Sequence, residues 1–128
     1  MRVALTSTSG EIIDQHFGQA GHFWVWEIGP DTAAPVGRVE ALLGAGDEED
    51  QTTARASAIA GCAIVYTQQI GGPAAAKLVA RRIHPMKTQV EVPVAEVVEQ
   101  LQAVLRGNPP PWLRKALGQE PTAPIAED

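Results

Sequence analysis

The spacing of apolar residues changes period several times along the chain, and each change marks an element. Residues 2–6 are a short β-branched run that ends in the polar Ser7-Thr8-Ser9-Gly10, a strand followed by a turn. Residues 12–18 are too short for an element of their own and close on Gly18. Residues 22–28, His-Phe-Trp-Val-Trp-Glu-Ile, are rich in aromatic and β-branched side chains. Alternation puts Phe23, Val25 and Glu27 on one face and Trp24, Trp26 and Ile28 on the other, so this strand is expected to be covered on both sides. Gly29-Pro30-Asp31 breaks it, and the short link makes residues 36–42 an antiparallel partner.

Residues 51–60 contain neither Pro nor Gly and are rich in Ala, which predicts a helix capped near Asp50 and stopped at Gly61. Residues 62–66, Cys-Ala-Ile-Val-Tyr, are apolar without alternation, as in a parallel strand buried on both faces. After the turn Ile70-Gly71-Gly72, Pro73 opens a helix over residues 74–82, which His84-Pro85 is expected to end. Residues 86–92 read as a weaker strand. Apolar positions at 94, 97, 98, 101, 104 and 105 predict an amphipathic helix over residues 94–106. Pro109, Pro110 and Pro111 predict an extended link, residues 112–117 one more helical turn, and residues 119–128 a loose tail. Strands alternating with helices give a single α/β domain over residues 1–118, with a mixed sheet.

Length and charge narrow the function classes. A chain of 128 residues supports one core, and no apolar run reaches the ~20 residues of a membrane span. The single cysteine, Cys62, excludes an internal disulfide and a self-built four-thiolate cluster, and a reducing cytoplasm is the expected compartment. The net charge is −5, yet residues 51–90 hold Arg55, Lys77, Arg81, Arg82 and Lys87 and no acid. That stretch is either a solvated face or a patch for an anionic ligand; the acidic total argues against nucleic acid. No G-x-S-x-G is present, and Ser7, Ser9 and Ser57 have no neighbouring base, so an enzyme is the weaker class.

Two segments carry candidate chemistry. In Asp14-Gln15-His16-Phe17-Gly18 an imidazole lies between a carboxylate and a glycine; Asp14 could fix the tautomer and leave one nitrogen of His16 for a metal, with Phe17 as core anchor. The ordinary reading is a surface histidine. Gly71-Gly72-Pro73 leads into a helix N-terminus, where free N–H groups and the dipole suit an anion, although a plain tight turn has the same sequence. His22 and His84 read as structural, and Cys62 as a small hydrophobe that would be a ligand only at a sheet edge.

Four segments in order resemble the nitrogenase cofactor-carrier family. They are Asp14–Gly18, the stretch from Cys62 through Gly71-Gly72-Pro73 to Val79, Ile83-His84-Pro85-Met86-Lys87, and Asn108-Pro109-Pro110-Pro111-Trp112-Leu113 with the residues to Leu117. The ending resembles the stand-alone NifX type. The resemblance implies a ribonuclease-H-like α/β domain without a nuclease site, which binds an iron–sulfur precursor of the iron–molybdenum cofactor (the NifB-co type). It implies transfer of that cluster between NifB, the NifEN scaffold and apo-dinitrogenase, with His16 as the cluster ligand. A metal-free regulatory or interaction domain of the same fold is the alternative.

Overall fold

A computed structural model describes residues 1–118; the expected tail, residues 119–128, lies outside the described residues. The sheet is built from β1 (Arg2–Leu5), β3 (His22–Ile28), β4 (Ala33–Glu40), β5 (Ile64–Thr67) and β6 (His84–Lys87), in the order β4-β3-β1-β5-β6. β3 is antiparallel to β1 and β4, while β1, β5 and β6 run parallel, so the sheet is mixed as expected. Two short strands, β2 (Ile12–Ile13) and β7 (Val92–Pro93), form a separate antiparallel ribbon.

Alternation along each strand gives the sheet two apolar faces, and each is covered. Val3, Leu5, Ile28, Ile64 and Tyr66 pack against Val94, Val97, Val98, Leu101 and Leu105 of α3 (Val94–Arg106) and Leu113 of α4 (Pro111–Gly118). Ala4, Phe23, Val25 and Val65 pack on the other face against Ala56 of α1 (Glu48–Ala58), Leu78 of α2 (Gly72–Ala80), Ile59 and Ile83. The two-sided cover expected for β3 follows, with Phe23 and Val25 on one side and Trp24, Trp26 and Ile28 on the other. This three-layer arrangement is the α/β class that the sequence implies.

Several boundaries differ from the sequence expectation, each for a local reason. α1 begins at Glu48, because Asp47 and not Asp50 is the cap: the Asp47 carboxylate accepts the Asp50 N–H at 2.9 Å. The acidic run is therefore the first turn of a helix, where negative charge complements the dipole. β4 spans Ala33–Glu40 instead of 36–42, since an irregularity in the pairing near Val25 and Trp26 admits Pro35 to this edge strand. β5 begins at Ile64, not at Cys62.

β6 starts at His84-Pro85, where a helix stop was expected, and ends before residue 92. The His84 and Thr88 N–H groups bond the Ala63 and Thr67 carbonyls at 2.9 Å, so by alternation the Pro85 nitrogen faces the open edge and no ladder bond is lost. Val92 belongs to β7. Pro111 is the first residue of α4 and not part of an extended link, as its fixed φ and missing N–H permit.

Gly10 closes the β1–β2 turn with φ +87°, and a Cβ there would lie 3.0 Å from Trp24 Cε2. Gly10→Ala is expected to destabilise the domain by about 1–3 kcal/mol. Gly18→Ala, with nothing within 4 Å of the added carbon, is expected to be neutral. Urea denaturation of the two variants beside the parent checks both.

Candidate functional site

The loop that follows β2 lies against the β5–α2 connection beyond the C-terminal ends of β1 and β5. The Gln15 carbonyl accepts from Thr6 Oγ1 at 2.9 Å, Thr67 Oγ1 at 3.0 Å and the Gln68 N–H at 3.0 Å. The Phe17 N–H donates to the Gln69 carbonyl at 2.9 Å, and the Phe17 ring sits in the core at 5.7 Å from Phe23. Backbone bonds and one buried ring thus fix the chain on both sides of His16. His16 itself is exposed, at the start of a short 3-10 turn over Phe17–Gln19, and its ring makes no hydrogen bond among the described residues. Gln15 Oε1 is buried without a partner.

Asp14 does not orient His16. Its two carboxylate oxygens accept the Thr8 N–H at 3.0 Å and the Thr8 hydroxyl at 2.6 Å, which makes it a brace for the turn after β1. Asp14 shapes the loop, not the imidazole.

Phe17 and Gly18 share a cleft of about 640 Å³ with Gly71, Pro73 and Ala74 at the start of α2, and with the first turns of α1. Gly71 is the N-cap of α2 and has no side chain with which to cap the first N–H groups. A Cβ at Gly18, Gly71 or Gly72 would meet nothing within 4 Å, and none of the three has positive φ. The fold therefore tolerates larger residues there; what glycine keeps is open space for a close approach to the backbone. Phe17 and Gly18 of one motif thus meet Gly71 and Pro73 of the other, some 55 residues away in sequence, while His16 and Gly72 are not part of the cleft wall.

The charge around the cleft is balanced, contrary to the basic patch entertained for residues 51–90. Lys77 donates to Thr53 Oγ1 at 2.7 Å and lies 3.8 Å from Glu49, Arg81 donates to Ser57 Oγ at 3.2 Å, and buried Arg55 donates to the Ala20 carbonyl at 2.7 Å. These cations tie α1 to α2 and to the loop before β3. Glu48 and Glu49 line the same cleft.

The other candidate ligands lie elsewhere. Cys62 precedes β5, at the opposite end of that strand from Gln69; it is 6% exposed, and burial pushes its thiol up to about 11. Neither the thiolate state nor its position brings it to His16. His22 bonds the Ser7 carbonyl at 2.9 Å and meets the edge of Trp24. His84 is stacked on Trp112, 3.9 Å between ring centroids. Among the described residues no three of His, Cys, Asp and Glu gather as a metal site. No helix among them is long and apolar enough to cross a membrane.

Burial lowers the His84 imidazole from its ordinary 6.5, and the cations Arg82 and Lys115 line the same pocket. The unfolded chain then binds this proton more readily than the folded one. Stability is unaffected by this group above about pH 6.5, falls as pH drops below it, and levels off once the folded imidazole is protonated. Melts between about pH 8 and about pH 5 should show the decline, and His84→Phe, which keeps a ring against Trp112, should lessen it. Parallel profiles for the two proteins would assign the decline to other groups.

Comparison with known proteins fits the fold. The chain is 23% identical to the crystal structure of PH0822, with a TM-score of 0.60 over 80% of this chain and 91% of that one, a likeness of fold. It is 40% identical to protein NifY of Azotobacter vinelandii over 94% of this chain and 50% of that protein, so it spans about half the length of that relative. It is 38% identical to protein NifX of Rhodobacter capsulatus over 92% of this chain and 78% of that one, and 38% to protein NifX of Herbaspirillum seropedicae over 94% and 85%. Residues 1–104 match the model of the dinitrogenase iron-molybdenum cofactor family, and with these relatives the match establishes that the chain belongs to that family, in its NifX-type branch, within nitrogenase cofactor biosynthesis.

Proposed function

We propose that the chain carries an iron–sulfur precursor of the iron–molybdenum cofactor between the proteins that build it, from NifB to the NifEN scaffold, in a reducing cytoplasm. It acts by binding and not by catalysis. His16 is the ligand, and the cluster sits at the mouth of the cleft between Gly18 and the Gly71-Gly72 turn. The observation that carries this reading is the contrast among the three histidines: the rings of His22 and His84 are used inside the fold, and that of His16 is free on a loop held rigidly by its backbone.

The physical demands of a carrier favour such a site. A single imidazole on an open surface holds a preassembled cluster without enclosing it, so the dissociation rate stays high enough for transfer. Such clusters are anionic, and the uncapped first turn of α2 offers N–H groups and a positive dipole end to them. Glycines at 18, 71 and 72 let a body wider than a side chain reach the backbone.

The test is anaerobic incubation of the protein with the precursor cluster, followed by desalting, iron analysis and visible spectra, then addition of NifEN. Iron retained with the protein and lost to the scaffold is the expected result. Protein that emerges free of iron overturns the reading. The absence of a three-ligand group among the described residues favours, in that event, a metal-free interaction domain of the same fold.

A further inference from the structure

The ends of α1 and α2 pose the same steric problem and solve it differently. Each helix is followed by a residue in the left-handed region, from which the chain turns into or toward a strand. After α1 that residue is Gly61, with φ +91°; after α2 it is Arg82, with φ +63°. The bond from the Ile83 N–H to the Leu78 carbonyl at 2.9 Å completes the motif at the end of α2. Glycine takes this conformation without penalty, and a side chain with a Cβ does not. The arginine at this position carries a steric cost that a glycine would not, which directs attention to its side chain.

Arg82 opens onto a pocket of about 270 Å³ whose wall also includes His84, Trp112, Lys115, Val79 and Ala116. It lies at the N-terminal ends of β5 and β6, whereas the Gly18–Gly71 cleft lies beyond the C-terminal end of β5. Among the described residues no acidic side chain lines it. Arg82 and Lys115 make no hydrogen bond or ion pair among the described residues, unlike Lys77 and Arg81 on the preceding turns of chain. Two cations from separate segments thus face one recess, with the stacked His84 and Trp112 rings, 18° from parallel, as its firm side.

We propose that this pocket is a second binding site, for a small polyanion bearing phosphate or carboxylate oxygens. Arg82 and Lys115 grip the charged oxygens from two sides, Arg82 by two parallel N–H bonds, and an imidazole N–H of His84 supplies a third donor. The Trp112 ring and Val79 pack on the apolar part of the ligand. The recess is below the ~300 Å³ at which pockets for drug-sized molecules begin, so the ligand is small.

The site is tested by titrating the full chain with inorganic pyrophosphate and, separately, tricarballylate, at constant ionic strength held by chloride. The readout is the Trp112 indole N–H resonance, assigned by its loss in Trp112→Phe. A saturable shift with pyrophosphate alone marks a phosphorylated ligand, with tricarballylate alone a carboxylate, and with both a site for either group. Arg82→Gly is expected to melt no lower than the parent, since it removes the steric penalty, yet to bind at least about tenfold more weakly. Lys115→Ala should weaken binding without altering the end of α2, and His16→Ala should bind as the parent does. No saturable shift with either probe overturns the proposal, as does parental affinity in both Arg82→Gly and Lys115→Ala.

Discussion

Replacing His16 by alanine is expected to lower cluster retention at least about tenfold and to leave the melting temperature unchanged. The separation of the two effects follows from what holds the loop. The Gln15 carbonyl has three donors, the Phe17 N–H has the Gln69 carbonyl, and the Phe17 ring is 1% exposed, while the exposed His16 ring hydrogen-bonds to none of these anchors. Removing it takes away the proposed ligand and no hydrogen bond of the fold. Neighbouring substitutions should behave otherwise. Phe17→Ala removes a core ring and is expected to cost about 3–5 kcal/mol, so its loss of binding would follow loss of fold. Asp14→Asn weakens the brace on Thr8 and should reduce binding less than His16→Ala, through the loop's shape. Iron per chain after anaerobic desalting, beside thermal melts, distinguishes the three. Unchanged iron stoichiometry and affinity in His16→Ala would remove His16 from the site.

Much of this architecture is legible in the order of residues, because most of it is set by period. The β-branched run at residues 2–6 and the unbroken apolar run at 62–66 identify central strands, and of the positions 94, 97, 98, 101, 104 and 105 all but the exposed Val104 form the buried stripe of α3. What period cannot carry is a two-residue strand. Ile12–Ile13 and Val92–Pro93 find each other only because the bond from the Val94 N–H to the Glu11 carbonyl, at 2.8 Å, and the packing of Ile13 bring them together. A proline is equally ambiguous in sequence. Pro85 reads as a stop until its strand is known to be an edge, and Pro111 as part of an extended run until it begins a helix.

The candidate site shows the same division. His16, Gly71 and Gly72 are recognisable from local spacing, whereas the meeting of Phe17 and Gly18 with Gly71 at one cleft depends on bonds between Gln15, Phe17, Gln68 and Gln69 that no local pattern encodes. Proximity in sequence also misleads: Asp14 is two residues from His16, and its partner is Thr8. The charge count of residues 51–90 has no acid, but folding lays the acidic first turn of α1 beside Lys77. Arg82 and His84 come from the end of α2 and the start of β6, and Trp112 and Lys115 from α4, two stretches that only the fold brings together. The signal available in the sequence was weak: a non-glycine pair, Arg81-Arg82, at a helix end that is followed at once by a strand.

Removing the ending is expected to cost as much stability as the loss of a core ring. A chain that stops at Asn108 should be less stable than one that stops at Gly118 by about 3–5 kcal/mol, or roughly 10–20 °C in melting temperature. Pro109 is buried, Leu113 is 2% exposed in the same cluster as Val97 and Leu101, and Trp112 covers His84. Deleting these groups uncovers one end of the α3 face of the sheet and leaves the His84 ring without its lid. The alternative, in which Trp112 exists to dock on a partner, predicts a truncated domain as stable as the longer one. The packing favours the first outcome, although Trp112 keeps 37% of its surface exposed and so retains a face for a partner. Leu113→Ala alone should account for about 2–5 kcal/mol, and Trp112→Ala for less, because its ring is only partly buried. Cluster uptake, measured well below the melting temperature, should survive truncation, since His16 and the Gly71 turn lie at the other end of the strands. A shortened chain with an undiminished melting temperature would show that α4 contributes no stability. If it also failed to hand its cluster to the scaffold, the ending would be a docking element and not a lid.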